Sequence, residues 1–520
     1  MRKRIAMLLA VMLLAALLPT AFAEDKALWF EDGLELSVFG TTWAPHNIEE
    51  EEFTPFPAIK EATNVSFKFD WRQKTDYETQ LGTLLGMGIE NLPDLINPES
   101  YGIMNLVNEG AIVPLDEYLE EYGPNIIAAV GEENMVTWRA GDGHIYTITG
   151  VVKIPGAMTN MIRKDWLDAL NLEVPTTWDE YLTVWRAFRD NDCNGDGDPT
   201  NEIPLAYNTD ANGEQSMIGL LNAFGIKCSK DCQFTVMDDG TYGFVYDHPR
   251  YPEFLEAVQM LYKEGILDKE FASRDQSSLF TVMDSGLVGN AWTWAERASV
   301  SSTALRSSGD EDALWLSLTP IPGPYGDQHT YSRDWKYTSY CVSANCDEQK
   351  IIDIVKFFNW YFSEEGYTIA NYGKEGVNFD YVDGKPVMRP EVVATGFTSA
   401  RELGLDYMPF PHYRLQDSFM QCLTNGLAYD ELTEQVQSFY DGLFVINEPY
   451  FYSLPPTLDT EEYVEYHSEL IKGGVCVLRD QCIAGQITVE EFFDGYAELK
   501  EEGLQEVIEA GQAAYAVIAQ

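Results

Sequence analysis

The chain has 520 residues, with 34 lysines and arginines against 84 aspartates and glutamates, so its net charge is −50. That excess of negative charge disfavours binding to nucleic acids and to anionic membranes, which both require clustered lysine and arginine. Hydrophobic residues make up 45% of the chain and aromatic residues 13%, which excludes a disordered acidic tail and predicts large buried cores.

The first 23 residues have the pattern of a secretory signal peptide. A basic stretch at residues 2–4 precedes an apolar run over residues 5–18, and a small-x-small motif at residues 21–23 suits signal peptidase. The run is shorter than the roughly 20 residues of a membrane-spanning helix. We therefore expect cleavage after Ala23 and a mature protein in the periplasm or at the cell surface. No cysteine follows the run, so no lipid anchor is expected.

Hydrophobic periodicity predicts strands alternating with helices, which is typical of parallel α/β layers. The expected strands cover residues 34–39, 92–96, 141–146 and 151–155. The expected helices cover residues 76–87, 161–170, 178–189 and 347–365, with two more after residue 488. Thr177 and Glu180 form a capping box at the start of one helix. Gly366 is expected to end another, and Gly503 to separate the last two.

Three pairs of cysteines are close in sequence, and their oxidation state is left open. They are Cys228 and Cys232, Cys341 and Cys346, and Cys476 and Cys482. Export permits disulfides, whereas cross-linking such short loops adds little stability. Free thiols and local disulfides are both compatible with this pattern.

Residues 192–202 carry the strongest chemical motif. Aspartate or asparagine occupies positions one, three and five, and glycine occupies position six, as at the start of an EF-hand calcium loop. Pro204 excludes an EF-hand exit helix directly afterwards. We therefore expect a structural Ca²⁺ loop in another fold, the alternative being a solvated acidic turn. The expected donors are Asp192, Asn194, Asp196, the carbonyl of Asp198, Asn201 and Glu202.

Motifs of common enzyme classes are absent from the sequence. There is no phosphate-binding loop, HExxH or GxSxG motif, and the six histidines have no metal-ligand spacing. No spacing singles out a pair of glycosidase carboxylates, although 84 acidic residues leave such a pair possible. The residues give no positive indication of catalysis.

Short segments spread over nearly the whole mature chain occur in an order that matches one family. They are residues 91–95 (NLPDL), 110–116 (GAIVPLD), 163–167 (RKDWL), 175–180 (PTTWDE), 202–205 (EIPL), 372–377 (YGKEGV), 383–385 (DGK) and the tail 487–514. With the acidic loop, they make the chain resemble the extracellular solute-binding proteins (family 1) of ABC importers. The resemblance is to the large oligosaccharide-binding branch, which includes alginate-oligosaccharide-binding and LplA-like proteins.

The resemblance implies a two-lobe α/β periplasmic-binding-protein fold, type II-like, with a hinge and a ligand cleft between the lobes. The expected lobes are residues 24–150 with about 305–345, and residues 151–304 with about 346–520. It implies a non-catalytic protein, expected to be a monomer, that delivers an oligosaccharide to the membrane subunits of an ABC permease. In relatives the corresponding loop holds calcium, and this chain carries one extra residue before Asn201.

Sugar sites combine aromatic rings, which stack on the apolar faces of the sugar, with polar groups that bond its hydroxyls. In open α/β sheets such sites lie at the carboxyl ends of strands. The candidate ligand-binding residues are Trp43, Tyr101, Trp292, Trp294, Arg297, Arg333 and Trp335. The two arginines suit uronic carboxylates, with ordinary salt bridges as the alternative. A peptide receptor of the same fold and a secreted glycan-active enzyme are the competing functions.

Overall fold

The computed structural model describes residues 29–42, 55–98, 101–131, 135, 138–152, 158–208, 217–228, 234–331, 339–393, 413–414, 421, 424, 427–452 and 460–518. The signal peptide and three candidate site residues, Trp43, Arg333 and Trp335, lie outside these residues. Within them, every helix is too short or too polar to traverse a bilayer. The cysteines Cys341, Cys346 and Cys482 are free thiols, so neither of the pairs 341/346 and 476/482 is bridged.

The described secondary structure alternates between strands and helices over most of the chain. The strands are β1 Leu34–Thr42, β2 Val65–Gln73, β3 Leu95–Ile96, β4 Thr147–Thr149, β5 Val151–Val152, β6 Met158–Arg163, β7 Phe234–Val236, β8 Tyr242–Phe244, β9 Asn290–Trp294, β10 Trp315–Leu318, β11 Thr330–Tyr331, β12 Ser339–Val342, β13 Phe379–Val382, β14 Lys385–Met388, β15 Tyr413–Arg414 and β16 Phe451–Tyr452.

The helices are α1 Pro55–Thr63, α2 Lys74–Gly86, α3 Ile103–Asn108, α4 Asp116–Tyr122, α5 Pro124–Val130, α6 Lys164–Ala169, α7 Trp178–Asp190, α8 Ile218–Ala223, α9 Tyr251–Lys263, α10 Gln276–Asp284, α11 Arg297–Ser308, α12 Glu348–Tyr361, α13 Glu364–Tyr372, α14 Pro390–Val393, α15 Glu434–Phe444, α16 Glu461–Tyr466, α17 Cys476–Ile483, α18 Val489–Leu499 and α19 Gln505–Ile518. Two π-helical stretches, His467–Val475 and Lys500–Leu504, join helices near the C-terminus.

A five-stranded sheet organises the first unit of the described chain, in the order β2-β1-β3-β12-β4. β1 runs parallel to β2 and β3, whereas β12 is antiparallel to β3 and β4. Successive side chains of a strand point to opposite faces. Leu36 and Val38 therefore pack into one core with helix α12, and Phe39 packs into a second core with Tyr77.

The second unit is built on a smaller antiparallel sheet with the described order β10-β6-β9. Residues 203–206 extend this sheet beyond β9 through parallel bridges, one of which joins Ala206 to Ala291. Neighbouring residues of β6 again pack into different cores. Ile162 packs among the helices that include α7 and α9, and Met161 packs on the other face beside α11 and α15.

Two segments pack in a different unit from the one expected. Residues 305–345 are expected in the first lobe. β12 does join the first sheet, whereas β10 pairs with β6, and Leu305 and Trp315 lie in a core of the second unit. Residues from 346 onward are expected in the second lobe, whereas α12 packs in the core of the first sheet. The pairing of β10 with β6 joins residues about 150 positions apart, and local sequence patterns carry no information on such contacts.

The sequence predicts some helix boundaries correctly and misplaces others. The capping box of α7 is present in both directions between Thr177 and Glu180, and the φ of Gly503 is 140°, which breaks the last helical region as expected. The helix expected over residues 161–170 begins later, because its first three residues belong to β6. The helix expected over 347–365 is two helices, and Gly366 lies inside the second, where its N–H donates to the N-capping Ser363.

Candidate functional site

The chain crosses between the two units at one edge of each sheet. In the first sheet, the carboxyl ends of β1, β2, β3 and β4 lie at the same edge. The chain leaves this edge after β4 to reach β6 and returns to it at the start of β12. We call the edge of each sheet at which the chain crosses its crossing edge. In the second sheet, the crossing edge carries Met158 at the start of β6 and Trp294 opposite it at the end of β9. Because open α/β sheets bind ligands at the carboxyl ends of their strands, these edges are the candidate site.

Trp71 is a flat aromatic surface at this edge of the first sheet. Its ring stacks on Phe69 with 4.9 Å between centroids. The ring also lies across the backbone of Gly40, so close that a Cβ atom on residue 40 would overlap the indole. The indole is half-buried, and its Nε1 has no hydrogen-bond partner among the described residues. Sequence reasoning did not place this residue, although Phe67, Phe69 and Trp71 alternate along one face of β2.

A cation lies at the same edge on the opposite face of the sheet. Arg72 stands in register with Thr41 of β1. Its guanidinium donates to Asp70 at 2.8 Å and lies 5.9 Å from the centre of the Phe39 ring. Nε of Arg72 and Oγ1 of Thr41 have no hydrogen-bond partner in the described part of the chain. At this edge, Nε of Arg72 and the hydroxyl of Thr41 are therefore two unpaired hydrogen-bonding groups. The positive charge of Arg72 is already balanced by Asp70.

Tyr101, a predicted site residue, lies beyond the end of β3 and is partly buried against the core that contains Phe39. Its backbone carbonyl accepts from Nδ2 of Asn105 at 2.6 Å. Burial, followed by the negative charges of Glu109 and Glu78, raises the pKa of its phenol. The hydroxyl therefore stays protonated at neutral pH and keeps its capacity to donate a hydrogen bond.

The three predicted site residues in the second unit have different environments. Trp292 is only 2% exposed and packs in the core against Gly219, in contrast to the expected position at the cleft. Trp294 is partly exposed at the crossing edge, beside Met158. Arg297 is 8% exposed and forms an ion pair with Asp284. The sequence left two roles open for this arginine, a contact with a uronic acid or an ordinary salt bridge. The ion pair with Asp284 is the salt bridge.

The acidic loop 192–202 folds so that its oxygens accept hydrogen bonds from its own backbone. Oδ2 of Asp192 accepts from the N–H of Gly197 at 3.0 Å, and Oδ1 of Asn194 accepts from the N–H of Asp196 at 3.0 Å. Oδ1 of Asp196 accepts from the N–H of Asp198 at 2.8 Å. The side-chain positions one, three and five are therefore turned towards the loop interior, as a calcium loop requires.

The end of the loop closes on its beginning. Nδ2 of Asn201 donates to Oδ2 of Asp196 at 2.6 Å, a contact that leads the interactions lowering the pKa of that aspartate. Oε1 of Glu202 accepts from the N–H of Cys193 at 2.8 Å, and its buried Oε2 has no partner among the described residues. An unpaired buried carboxylate oxygen at the end of a loop rich in oxygen ligands fits a hard cation. The side chain of Asp198 accepts from Thr200, so only its carbonyl is a candidate donor.

No group of three or more histidine, cysteine, aspartate or glutamate side chains gathers as a metal cluster within the described ranges. Three of the six candidate donors of the acidic loop, Asp192, Asp196 and Glu202, are carboxylates, and in this structure they do not gather as such a cluster. Calcium accepts amide and carbonyl oxygens as readily as carboxylates. The donor set of the loop is therefore compatible with calcium and unsuited to zinc, which prefers nitrogen and sulfur ligands.

Comparison with known families assigns the chain to one of them. The family model for bacterial extracellular solute-binding protein matches residues 48–368, which is more than half of the sequence. The chain belongs to this family. The fructooligosaccharide ABC transporter substrate-binding protein FusA of Streptococcus pneumoniae serotype 4 is 29% identical over 275 residues, covering 50% of this chain and 48% of FusA. The chain thus aligns with about half the length of that relative.

Solved structures of this solute-binding family share the fold over nearly the whole chain. The alginate-binding protein AlgQ2, solved without calcium ion, superposes with a TM-score of 0.72 at 22% identity, covering 94% of this chain and 99% of AlgQ2. An EF-hand mutant of S. pneumoniae FusA in complex with fructo-nystose gives a TM-score of 0.66 at 21% identity, covering 93% and 99%. The predicted two-lobe α/β binding-protein fold is confirmed.

Proposed function

We propose that this solute-binding protein binds an oligosaccharide between its two units and delivers it to the transmembrane subunits of an ABC importer. The observation that carries the proposal is the similarity, over more than 90% of the chain, to an alginate-binding protein and to FusA solved in complex with fructo-nystose. Aromatic side chains at the crossing edges, Trp71 and Trp294, supply the flat surfaces on which sugars stack. Tyr101, Trp43, Arg333 and Trp335 remain proposed contributors.

Membership of an extracellular family supports export. We propose cleavage after Ala23 and a location in the periplasm or at the cell surface. The relatives are binding proteins, which supports a receptor without catalytic activity.

We further propose that loop 192–202 holds a structural Ca²⁺ ion. The ligands are Asp192, Asn194, Asp196, the carbonyl of Asp198, Asn201 and Glu202. The unpaired Oε2 of Glu202 supports this assignment. The EF-hand of FusA, mutated in one solved structure, and the solution of AlgQ2 without its calcium ion support it further. The ion neutralises carboxylates that otherwise repel one another and fixes the loop between α7 and residues 203–206.

Thermal unfolding of the mature protein in calcium, across neutral oligosaccharides, uronic oligosaccharides and peptides, tests the proposal. A ligand present at 100 times its Kd adds about 2.7 kcal/mol of stability, which is a clear shift in Tm. Stabilisation by a glycan that is recovered intact supports a transport receptor. Stabilisation by peptides alone supports the peptide receptor, and breakdown of the glycan supports an enzyme.

A further inference from the structure

One helix of the first unit lies against the second unit. Helix α3 begins shortly after β3 ends at the crossing edge of the first sheet. Its Leu106 packs in the core that contains Phe39 and Tyr77, so the helix belongs to the first unit. The same helix lies against α16, which is close to the C-terminus of the chain.

Helix α16 is anchored in the second unit. Its Tyr463 is buried in the core that also contains residues of α7 and α9. The ring of Tyr463 lies 6.3 Å from the ring of Phe234, centroid to centroid. The N–H of Tyr463 donates to Oγ1 of Thr460 at 3.2 Å, which caps the helix. The contact of α3 with α16 therefore joins the two units directly, in addition to the segments in which the chain crosses between them.

Met104 is the residue of α3 whose burial its own unit does not explain. Residues three or four apart share a face of a helix, and Ile103, Leu106 and Val107 form the face of α3 that packs in the core of the first unit. Met104 lies off this face and is only 7% exposed. It belongs to none of the hydrophobic cores of the described residues. The position of α16 beside α3 accounts for the cover over this side chain.

We propose that Met104 and helix α16 form a latch that holds the two units together beside the candidate ligand site. Met104 closely follows Tyr101, whose carbonyl accepts from Nδ2 of Asn105 in the first turn of α3. Because the chain crosses between the units at this edge, moving the units apart here would separate α3 from α16 and expose Met104 to water. The latch is a property of the protein without ligand, whereas its effect on affinity rests on the proposed oligosaccharide function.

The attraction in this latch is apolar. Helix α16 carries Glu461, Glu462 and Glu465 and no basic residue, and α3 carries no charged residue and is followed by Glu109. Charge therefore opposes the approach of the two helices. Burial of apolar surface, including the side chain of Met104, is the favourable contribution. Methionine suits such a contact because its flexible side chain adapts to an irregular surface.

The latch has a consequence for ligand binding. A ligand that binds between the units requires them to be close together, and its apparent Kd is the intrinsic Kd divided by the fraction of molecules in that arrangement. A contact that increases this fraction lowers the apparent Kd without touching the ligand. Met104 is therefore a positioning residue and not a ligand-binding one.

Hydrogen exchange and small-angle X-ray scattering of the mature protein without ligand test the latch. Met104→Ala changes the first unit, and the amides of α16 report from the second unit. We expect the amides of residues 461–466 to exchange several-fold faster in Met104→Ala than in the wild type, because α16 loses its packing partner. We also expect a larger radius of gyration, because the two units spend more time apart.

Two control variants separate the latch from a general loss of stability. Met104→Leu keeps the apolar volume and should match the wild type in both measurements. Leu119→Ala removes a side chain of α4 that is buried in the core of the first sheet, so it should lower the Tm and leave the exchange of α16 and the radius of gyration unchanged. Unchanged exchange of α16 in Met104→Ala would show that the first unit itself covers Met104. Faster exchange with an unchanged radius of gyration would show a contact that does not hold the units together, and either result overturns the proposal.

Affinity provides the second arm, with the neutral or uronic oligosaccharide that most raises the Tm of the wild type as the probe. Its Kd should rise about threefold or more in Met104→Ala and stay unchanged in Leu119→Ala. An unchanged or lower Kd in Met104→Ala would overturn the effect of the latch on binding. Failure of the wild type to bind any glycan is a separate result that overturns the proposed function, and the two measurements without ligand still decide whether the latch exists.

Discussion

Nδ2 of Asn290 donates a hydrogen bond to Oδ1 of Asn160 at 2.9 Å, which joins β9 to β6 through two buried side chains. Asn290 also donates to the carbonyl of Met161 at 2.6 Å and accepts from Nε1 of Trp185 at 2.8 Å. Asn160 in turn donates to the hydroxyl of Tyr181 at 2.7 Å. This satisfied network fixes the strand that ends at Trp294, so it positions the crossing edge of the second unit.

Replacing Asn290 by leucine should lower the free energy of unfolding by about 3 kcal/mol, because it leaves the partners of three buried hydrogen bonds unsatisfied. Urea unfolding measures this as a lower midpoint. The exposed Asn91, whose side chain donates to the carbonyl of Met87, provides the control, and Asn91→Ala should change the midpoint little. Equal effects of the two substitutions would contradict a structural role for the network.

Calcium should stabilise the protein through Glu202. Adding calcium to chelator-treated wild type at 100 times its Kd should add about 2.7 kcal/mol. Glu202→Gln keeps the side-chain shape and removes the charge, so it should abolish most of that gain. Asp239→Asn, in an exposed turn where the carboxylate accepts from the N–H of Thr241, should retain it. A wild-type Tm that changes with neither chelator nor calcium would contradict the proposal that this loop binds calcium.

Arg297 should matter for stability rather than for ligand binding. Its guanidinium donates to Asp284 and to Ser301, and it lies 4.3 Å from the centre of the Phe280 ring. Arg297→Met should lower the free energy of unfolding by about 2–3 kcal/mol, since it removes one partner of a largely buried ion pair. The Kd for any glycan should change less than threefold. The more exposed pair of Arg389 with Asp380 is the control, and Arg389→Met should cost less than about 1 kcal/mol.

Acid should destabilise the protein through buried histidines. Burial lowers the pKa of His248, whose Nδ1 accepts from the N–H of Arg250 at 3.2 Å. A histidine with a lowered folded-state pKa contributes stability above its unfolded pKa of about 6.5, and that stability is lost as the pH falls below it. His248→Gln should therefore make the decline in Tm between pH 7.5 and 5.5 shallower. His329 and His467, whose pKa values burial also lowers, should preserve part of the decline.

The sequence predicts what depends on short segments and on order along the chain. The capping box at Thr177, the helix break at Gly503 and the family resemblance with its fold all rest on such local signals. These local signals do not predict contacts between segments that are distant in the sequence. The pairing of β10 with β6 decides which unit holds residues 305–318, and nothing in the local pattern of β10 specifies its partner.

The sequence is limited in the same way when it is used to place individual site residues. Trp292 and Trp294 share one face of β9, yet the first packs in the core and the second lies at the crossing edge. A difference of two residues along a strand is about 7 Å, and the sequence does not locate the end of the sheet to that precision. Trp71 was missed for a related reason, because its position at the crossing edge depends on the neighbouring strand β1 rather than on any motif.

Isothermal titration calorimetry of the mature protein, in calcium and with the glycan that most raises its Tm, distinguishes a transport receptor from an enzyme. We expect saturable one-to-one binding of an oligosaccharide, followed by chromatographic recovery of that oligosaccharide unchanged. The absence of binding heat for every glycan, or recovery of shortened products, would contradict a transport receptor.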